Sequence, residues 1–147
     1  MQISLARLDP RTHRLRVDRA QGEPIDVALE TRSFLVHDLA HYAVEAEAPT
    51  EAGFWGLLAA GADLAALRDP DALPPGTWEA LMAVEGAVVR VQTAFRRGGD
   101  LPGALAPALA HLRRLDGAWR KARQGDALVL SWPPGPSGPA LRRAQAR

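Results

Sequence analysis

The sequence predicts an α+β fold in which an antiparallel sheet of about four strands packs against about four helices. Two patterns carry this prediction. Apolar residues alternate with polar ones over roughly the first 30 residues, and from about residue 32 they recur at helical spacing until a last strand-like segment. The chain has 147 residues, a length that suits one hydrophobic core. We therefore expect a single domain over residues 1–132.

The strands begin with a three-strand meander. Apolar residues stand two positions apart in three successive segments, ISLARL, HRLRVDR and PIDVALE, which are separated by the turn-forming runs DPRT and AQGEP. Near the other end, DALVLSW at 126–132 follows Gly125 and reads as a fourth strand. The sheet is therefore expected to combine the N-terminal meander with one C-terminal strand.

Four helices are expected between these strands, because apolar residues there repeat every three or four positions. A run rich in proline and aspartate at 69–76 separates the second helix from the third, and RRGGDLPG separates the third from the fourth. Pro107 is expected to shorten or bend the first turn of the last helix. The predicted helices span about 32–47, 51–67, 78–97 and 103–123.

The segment 133–147 is rich in proline, glycine and basic residues. It has no apolar periodicity that could bury it against the core. We expect this tail to be disordered.

Composition narrows the kinds of site that the chain can form. The absence of cysteine excludes disulfides and thiolate metal sites, so the strong metal ligands available are His, Asp and Glu. The N-terminus has no charged leader followed by an apolar stretch, and no apolar run approaches the roughly 20 residues of a membrane helix. We expect a cytoplasmic protein with no membrane partner. Except for Lys121 the basic side chains are arginines, and with the abundant alanine this is typical of a GC-rich bacterial genome.

Charge is divided unevenly along the chain. Residues 1–89 carry a net charge of −7 and residues 90–147 a net charge of +8. Such a division indicates either a nucleic-acid-binding face or two halves that attract each other in the folded protein. We favour the second interpretation, because no aromatic residues interleave with the arginines as single-strand binding would favour. Nucleic acid is therefore an unlikely partner.

The helix predicted at 32–47 carries a narrow polar stripe. In FLVHDLAHYAVEAE, at about 100° per residue, His37, Asp38, His41 and Glu45 fall in one sector. This stripe is either the solvated side of an amphipathic helix or the lining of a buried pocket. It contains no arginine, the favoured surface residue of this protein, and Phe34 stands in its middle. Both observations favour the pocket.

The spacing within the stripe suits a metal ion. Side chains four residues apart lie one above the other, about 6 Å along the helix axis, so His37 and His41 could hold one ion. Asp38 could be a ligand or could orient an imidazole. Glu45 is about 12 Å along the axis from His37 and is a poorer ligand for the same ion.

A third ligand is expected from the helix at 78–97. Glu85 and Gln92 fall within the apolar sector of that helix. A buried carboxylate is costly unless it is paired or coordinated, so Glu85 requires a partner, either two histidines with a metal or an arginine. Asp116 is a weaker candidate, at the margin of the apolar face of the last helix, and His13 and His111 are expected on the surface.

HDLAH resembles the HDxxH element of a ubiquinone-biosynthesis family that carries a zinc-type His-Asp-His site completed by a later glutamate. This resemblance covers five residues and implies a site at His37, Asp38 and His41. Glu51 is the nearest downstream acid, at a slightly different spacing. The longer HDxxHYxxE helix also resembles stretches in small uncharacterised bacterial proteins, which implies no activity.

These observations lead to one main hypothesis. The chain is expected to bind one divalent metal, Zn²⁺ in the first place or Fe²⁺ or Mn²⁺, between His37, His41 and Glu85. An open metal position could support a hydrolase or lyase acting on a small molecule. Peptidase chemistry is doubtful, because Asp38 is one methylene shorter than the glutamate of HExxH. The competing hypothesis is a non-catalytic protein whose polar helix face contacts another protein.

Overall fold

A five-stranded antiparallel sheet forms one layer of the protein in the computed structural model, which describes residues 1–143. The strand order is β3-β2-β1-β4-β5, so the N-terminal meander is extended by the two C-terminal strands. The predicted α+β class is confirmed, with one strand more than expected. The strands are β1 (Gln2–Arg7), β2 (Thr12–Asp18), β3 (Ile25–Glu30), β4 (Asp126–Ser131) and β5 (Ala140–Arg143).

The fifth strand corrects the expectation of a disordered tail from residue 133. β5 pairs with the free edge of β4 and places Leu141 opposite Leu128. An edge strand presents unpaired backbone groups, and even four added residues can satisfy some of them. Four residues are too few for alternation to be recognised in the sequence. The end of the predicted tail, 144–147, lies outside the described residues.

Four α-helices cover the sheet, as predicted. The second helix is much shorter than the expected 51–67. It ends at Ala59, and Gly61 then takes a positive φ of 102°, a conformation in which glycine avoids the clash of a Cβ. Within residues 1–143, no helix has the length and apolar character needed to cross a membrane. The helices are α1 (Thr31–Glu47), α2 (Phe54–Ala59), α3 (Thr77–Arg97) and α4 (Ala106–Lys121), with short 3-10 turns at Ala66–Arg68, Pro70–Ala72 and Gly103–Leu105.

Helix α1 lies at the centre of the molecule. It contacts α2, α3 and α4 and also reaches β2 and β3. Leu35, Leu39 and Ala43 join the hydrophobic core together with inward-facing residues of the sheet such as Leu5 and Leu15. Because neighbours surround α1 on several sides, its polar stripe faces other helices.

His13 is buried, which corrects the expectation that it lies on the surface. Its side chain shares the inward face of β2 with Leu15 and Val17 and is 0% exposed. The two-residue alternation of that strand could have indicated this. Burial lowers the pKa of His13 to about 4, so this histidine is neutral near pH 7.

Candidate metal centre

Two histidines of α1 and one glutamate of α3 meet beside the core. His37 and His41 lie one helical turn apart, and their ring centres are 4.8 Å from each other, edge to face. Glu85 approaches both rings from α3. The three side chains form a group that could hold a metal ion, with one ligand atom from each lying within 4.8 Å of the others.

The Glu85 carboxylate spans the two rings. Its Oε1 lies 2.8 Å from His41 Nε2, and its Oε2 lies 3.7 Å from His37 Nε2. Two ligands bound tetrahedrally to Zn²⁺ at usual bond lengths are about 3.4 Å apart. The observed distances lie on either side of this value, and each Nε2 faces a different oxygen of the same carboxylate, so one ion between the two rings could be reached by all three side chains after the side chains adjust.

Each imidazole is oriented by a contact on its other nitrogen. His41 Nδ1 lies 3.1 Å from Glu45 Oε2, and His37 Nδ1 lies 3.0 Å from Gln92 Oε1. The amide and carboxylate oxygens accept hydrogen bonds, so both contacts favour a proton on Nδ1. Both Nε2 atoms face the Glu85 carboxylate. In the metal-free protein His41 Nε2 donates a hydrogen bond to Glu85 Oε1, and a bound metal would take the place of that proton. Metal-bound histidines in proteins are usually held by such a partner on the second nitrogen.

Glu45 connects this centre to the start of α2. Its side chain is 0% exposed, and its Oε1 accepts hydrogen bonds from the backbone N–H groups of Trp55, at 3.0 Å, and Gly56, at 3.3 Å. These N–H groups lie in the first turn of α2, where a helix favours negative charge. Glu45 thus orients the His41 ring through Nδ1, and is itself fixed by the two backbone N–H groups of α2.

Gly53 allows the close approach of Glu45. A Cβ on Gly53 would lie 2.1 Å from Glu45 Oε1. Because no side chain other than hydrogen fits there, glycine at this position is a requirement of the carboxylate's placement.

The charges of the centre are coupled. Burial by itself lowers the pKa of His41, but the hydrogen bonds and charges of Glu45 and Glu85 outweigh it and raise the pKa to about 9. The hydrogen bond from His41 holds the pKa of Glu85 below its usual range, against the opposing effect of burial. Without a metal, His41 is therefore a cation between two carboxylates near pH 7.

Burial decides between the two interpretations of the α1 stripe. Asp38, His41 and Glu45 are 6%, 1% and 0% exposed, and about a third of the His37 side chain is accessible. The stripe is the lining of an enclosed site and not a solvated face. Within residues 1–143 the charged partners of Glu85 are histidines and not an arginine.

Several predicted residues lie outside the ligand group. Glu51 is exposed in the turn after α1, so the structure does not bring it to the site. Gln92 contacts Nδ1 of His37 and does not reach the ligand group itself. Asp116 forms an ion pair with Arg120, 2.6 Å away. His111 is partly buried and contacts Glu47 at 2.9 Å, away from the centre.

Asp38 borders a cavity beside the centre. Its Oδ2 is buried and has no hydrogen-bond partner among the described residues. Burial raises the pKa of Asp38 to about 7, against the opposing charge of His41. Asp38 therefore lies next to the ligand group without belonging to it.

The cavity has a volume of about 210 Å³ and is bounded by His37, Asp38 and Glu85 on its polar side, with Arg68 also in its wall. The other side chains that line this cavity are apolar. Two of the three grouped side chains therefore border a partly open, mostly apolar space. The apolar walls are Leu15, Leu29, Phe34, Phe54, Leu64, Leu67 and Leu81.

A second, wider cleft lies on the other side of His37. It measures about 900 Å³ and reaches His37 and Gln92. Four arginines line it: Arg7, Arg32, Arg96 and Arg120. Glu85 borders the smaller cavity and not this cleft. The smaller cavity is therefore the space that a ligand of the His-His-Glu group would share.

The sequence did not indicate that Glu45 would contact both His41 and the start of α2. The His41–Glu45 spacing of four residues was a signal for the first contact. The second depends on how the chain turns at Gly53, which no local pattern reveals. A comparison of the chain with protein-family models, curated proteins and solved structures finds no match.

Proposed function

We propose that the protein binds one divalent metal ion through His37 Nε2, His41 Nε2 and the Glu85 carboxylate. One observation carries the proposal: both imidazoles have Nδ1 engaged by an oxygen, and both direct Nε2 at the same carboxylate. Two histidines and one glutamate form a ligand set known from catalytic zinc sites. Zn²⁺ is the first candidate, and Fe²⁺ or Mn²⁺ suit the same atoms.

The reaction class that this ligand set supports best is hydrolysis or a lyase reaction on a small molecule. Three protein ligands leave a position on the ion, at which a divalent metal lowers the pKa of water or polarises a substrate oxygen. His37 and Glu85 border the smaller cavity, which is partly open, and this supports access by a small molecule. The buried Glu45 fixes the ring of His41, the least exposed of the three side chains.

A non-catalytic protein that uses the polar helix face to contact a partner is less well supported. Three of the four polar residues of that face are buried beneath α2 and α3. A partner could reach them only after these helices moved away. An enclosed centre is more consistent with a small ligand or ion than with a protein surface.

Metal analysis of protein purified without a histidine tag tests the proposal. We expect one zinc per chain after equilibration with Zn²⁺ and gel filtration, measured by mass spectrometry of the metal. His37→Ala and His41→Ala should retain far less zinc, while the control His111→Ala, which removes a histidine outside the group, should retain it. Equal zinc content in all four proteins, or none in the wild type, would contradict the proposal.

A further inference from the structure

The cavity beside the His-His-Glu group contains a polar atom that the fold leaves without a partner. Asp38 is 6% exposed, and its Oδ2 makes no hydrogen bond within residues 1–143. Most buried polar groups in proteins are hydrogen-bonded, and an unsatisfied one costs free energy. Asp38 is also one of the polar residues that border the cavity, so a molecule bound there could reach its carboxyl group.

The remaining walls define what such a molecule can be. Leucines from β2, β3, α3 and the segment after α2 enclose the space, together with Phe34 and Phe54. Apolar walls favour an apolar body that is removed from water. A ligand that matches both features has a largely apolar frame and one polar group directed at Asp38.

The volume sets the size of the molecule. An apolar cavity of about 150 Å³ is known to hold one benzene molecule. The cavity here, about 210 Å³, has room for a six-membered ring with one or two further heavy atoms. Larger molecules would have to displace Leu64 or Leu67 or extend past Arg68.

We propose that this cavity is a binding site for a small, uncharged and mostly apolar molecule that carries a hydroxyl or amide group, with that group paired to Asp38. Such a group both donates and accepts hydrogen bonds, so it pairs with a carboxyl in either protonation state. A molecule in this position lies against His37 and Glu85. The inference names the substrate class of the proposed metal enzyme and rests on that function for the reaction, while binding to the cavity does not require the metal.

Benzyl alcohol and toluene form a matched pair of probes, because each has one ring and only the alcohol can pair with Asp38. Binding is measured by titration calorimetry on the full chain, both metal-free and zinc-loaded. We expect the alcohol to bind about tenfold more tightly than toluene in both forms, which corresponds to one net hydrogen bond in a dry site. Equal binding of the two probes, or binding of neither because the cavity holds only water, would overturn the inference.

Two variants separate the cavity from other sites. Asp38→Leu, which replaces the unsatisfied carboxyl with an apolar group of similar size, should remove the preference for the alcohol while toluene still binds. Leu64→Trp should fill the space and abolish binding of both probes, whereas Met82→Trp on the exposed side of α3 should leave binding unchanged. Thermal melting of each variant confirms that it is folded.

The outcomes also distinguish this inference from the proposed function. Binding of benzyl alcohol to a protein that takes up no zinc supports the cavity site and removes the metal enzyme. Zinc uptake without a preference for the alcohol removes the cavity site and leaves the metal centre standing. If Asp38→Leu still prefers the alcohol, and only when zinc is present, the metal and not Asp38 holds the hydroxyl, and the inference is wrong.

Discussion

His41 Nε2 lies 2.8 Å from Glu85 Oε1, a contact that joins α1 to α3 across 44 positions of the sequence. Without a metal, this contact is an ion pair, because the pKa of His41 is raised to about 9 and that of Glu85 is lowered. With a metal, the same two atoms would become ligands and the proton would leave.

Replacement of Glu85 by glutamine should lower metal affinity. The amide has nearly the same volume but no charge, so it is a much weaker ligand for a divalent ion. We expect zinc affinity to fall at least about tenfold, and the rise in melting temperature that zinc gives the wild type should shrink accordingly. Competition with a zinc-sensitive dye measures the affinity.

Glu79→Gln is the matched control, because Glu79 lies exposed on the same helix. It should bind zinc like the wild type. If Glu85→Gln and Glu79→Gln retain the same affinity, Glu85 is not a ligand.

Replacement of Glu45 by glutamine should weaken both the fold and the centre. The carboxylate accepts hydrogen bonds from His41 and from two backbone N–H groups of α2 while fully buried. We expect a loss of about 2 kcal/mol in unfolding free energy and a fall of about 10- to 100-fold in zinc affinity. Urea unfolding with chelator present isolates the first effect. Glu51→Gln, at an exposed position in the turn after the same helix, should cost less than about 0.5 kcal/mol.

Substitution of Gly53 by alanine should displace the Glu45 carboxylate by a steric clash. The added methyl group would lie 2.1 Å from Glu45 Oε1, and the carboxylate is held too firmly to move without losing hydrogen bonds. We expect a destabilisation of roughly 1–3 kcal/mol. Gly86→Ala is the control: no atom lies within 4 Å of its new Cβ, so this helical position should gain about 0.5–1 kcal/mol. The same sign for both variants in urea unfolding would contradict this account of Gly53.

Zinc binding should release a proton and strengthen as the pH rises. The pKa of His41 is about 9 in the metal-free protein, so at pH 7 a metal must displace its proton. The apparent affinity should rise about tenfold per pH unit between pH 7 and 9 and then level off. Calorimetry in two buffers of different ionisation enthalpy counts the protons released, and a value near zero at pH 7 would show that His41 is not a ligand.

The stability of the metal-free protein should change in the opposite direction. The folded-state pKa of His41 is raised from 6.5 to about 9, so its contribution to stability is fully present below pH 6.5 and is lost as the pH rises through 9. Asp38, whose pKa is raised from 3.8 to about 7 by burial, also stabilises the folded state at low pH; this contribution is fully present below pH 3.8 and is lost as the pH rises through 7. With chelator present, the free energy of urea unfolding should therefore fall as the pH rises to 9. With zinc bound, the part of this decrease that comes from His41 should be absent.

Truncation after Pro133 should leave a folded domain. β5 pairs only with the outer edge of β4, whereas β4 itself pairs with β1 in the middle of the sheet. Among the residues removed, the four of β5 take away ladder hydrogen bonds at the sheet edge but little of the core. We therefore expect cooperative melting at a temperature a few degrees lower. Circular dichroism during heating tests this, and a loss of the transition would show that β5 is required for the fold.

The sequence by itself determined the elements and the main members of the site. Local periodicity predicted the meander, the helices and the strand at 126–132, because the side chains that reveal it are near neighbours in the chain. Helical spacing also placed His37 above His41 and put Glu85 on the inner face of its own helix. These features follow from positions within single elements.

The tertiary structure decided everything that depends on how elements meet. Whether the α1 stripe faced water or other helices depended on the positions of α2 and α3. The sequence allowed either an arginine or the two histidines as the partner of Glu85, and only the packing of α1 against α3 decided between them. The hydrogen bonds that hold Glu45 at the start of α2 required the chain to turn at Gly53. The cavity beside Asp38 required walls from β2, β3, α1, α3 and the segments around α2. Such contacts join residues far apart in sequence, and no local sequence pattern determines how close these residues lie in the folded protein.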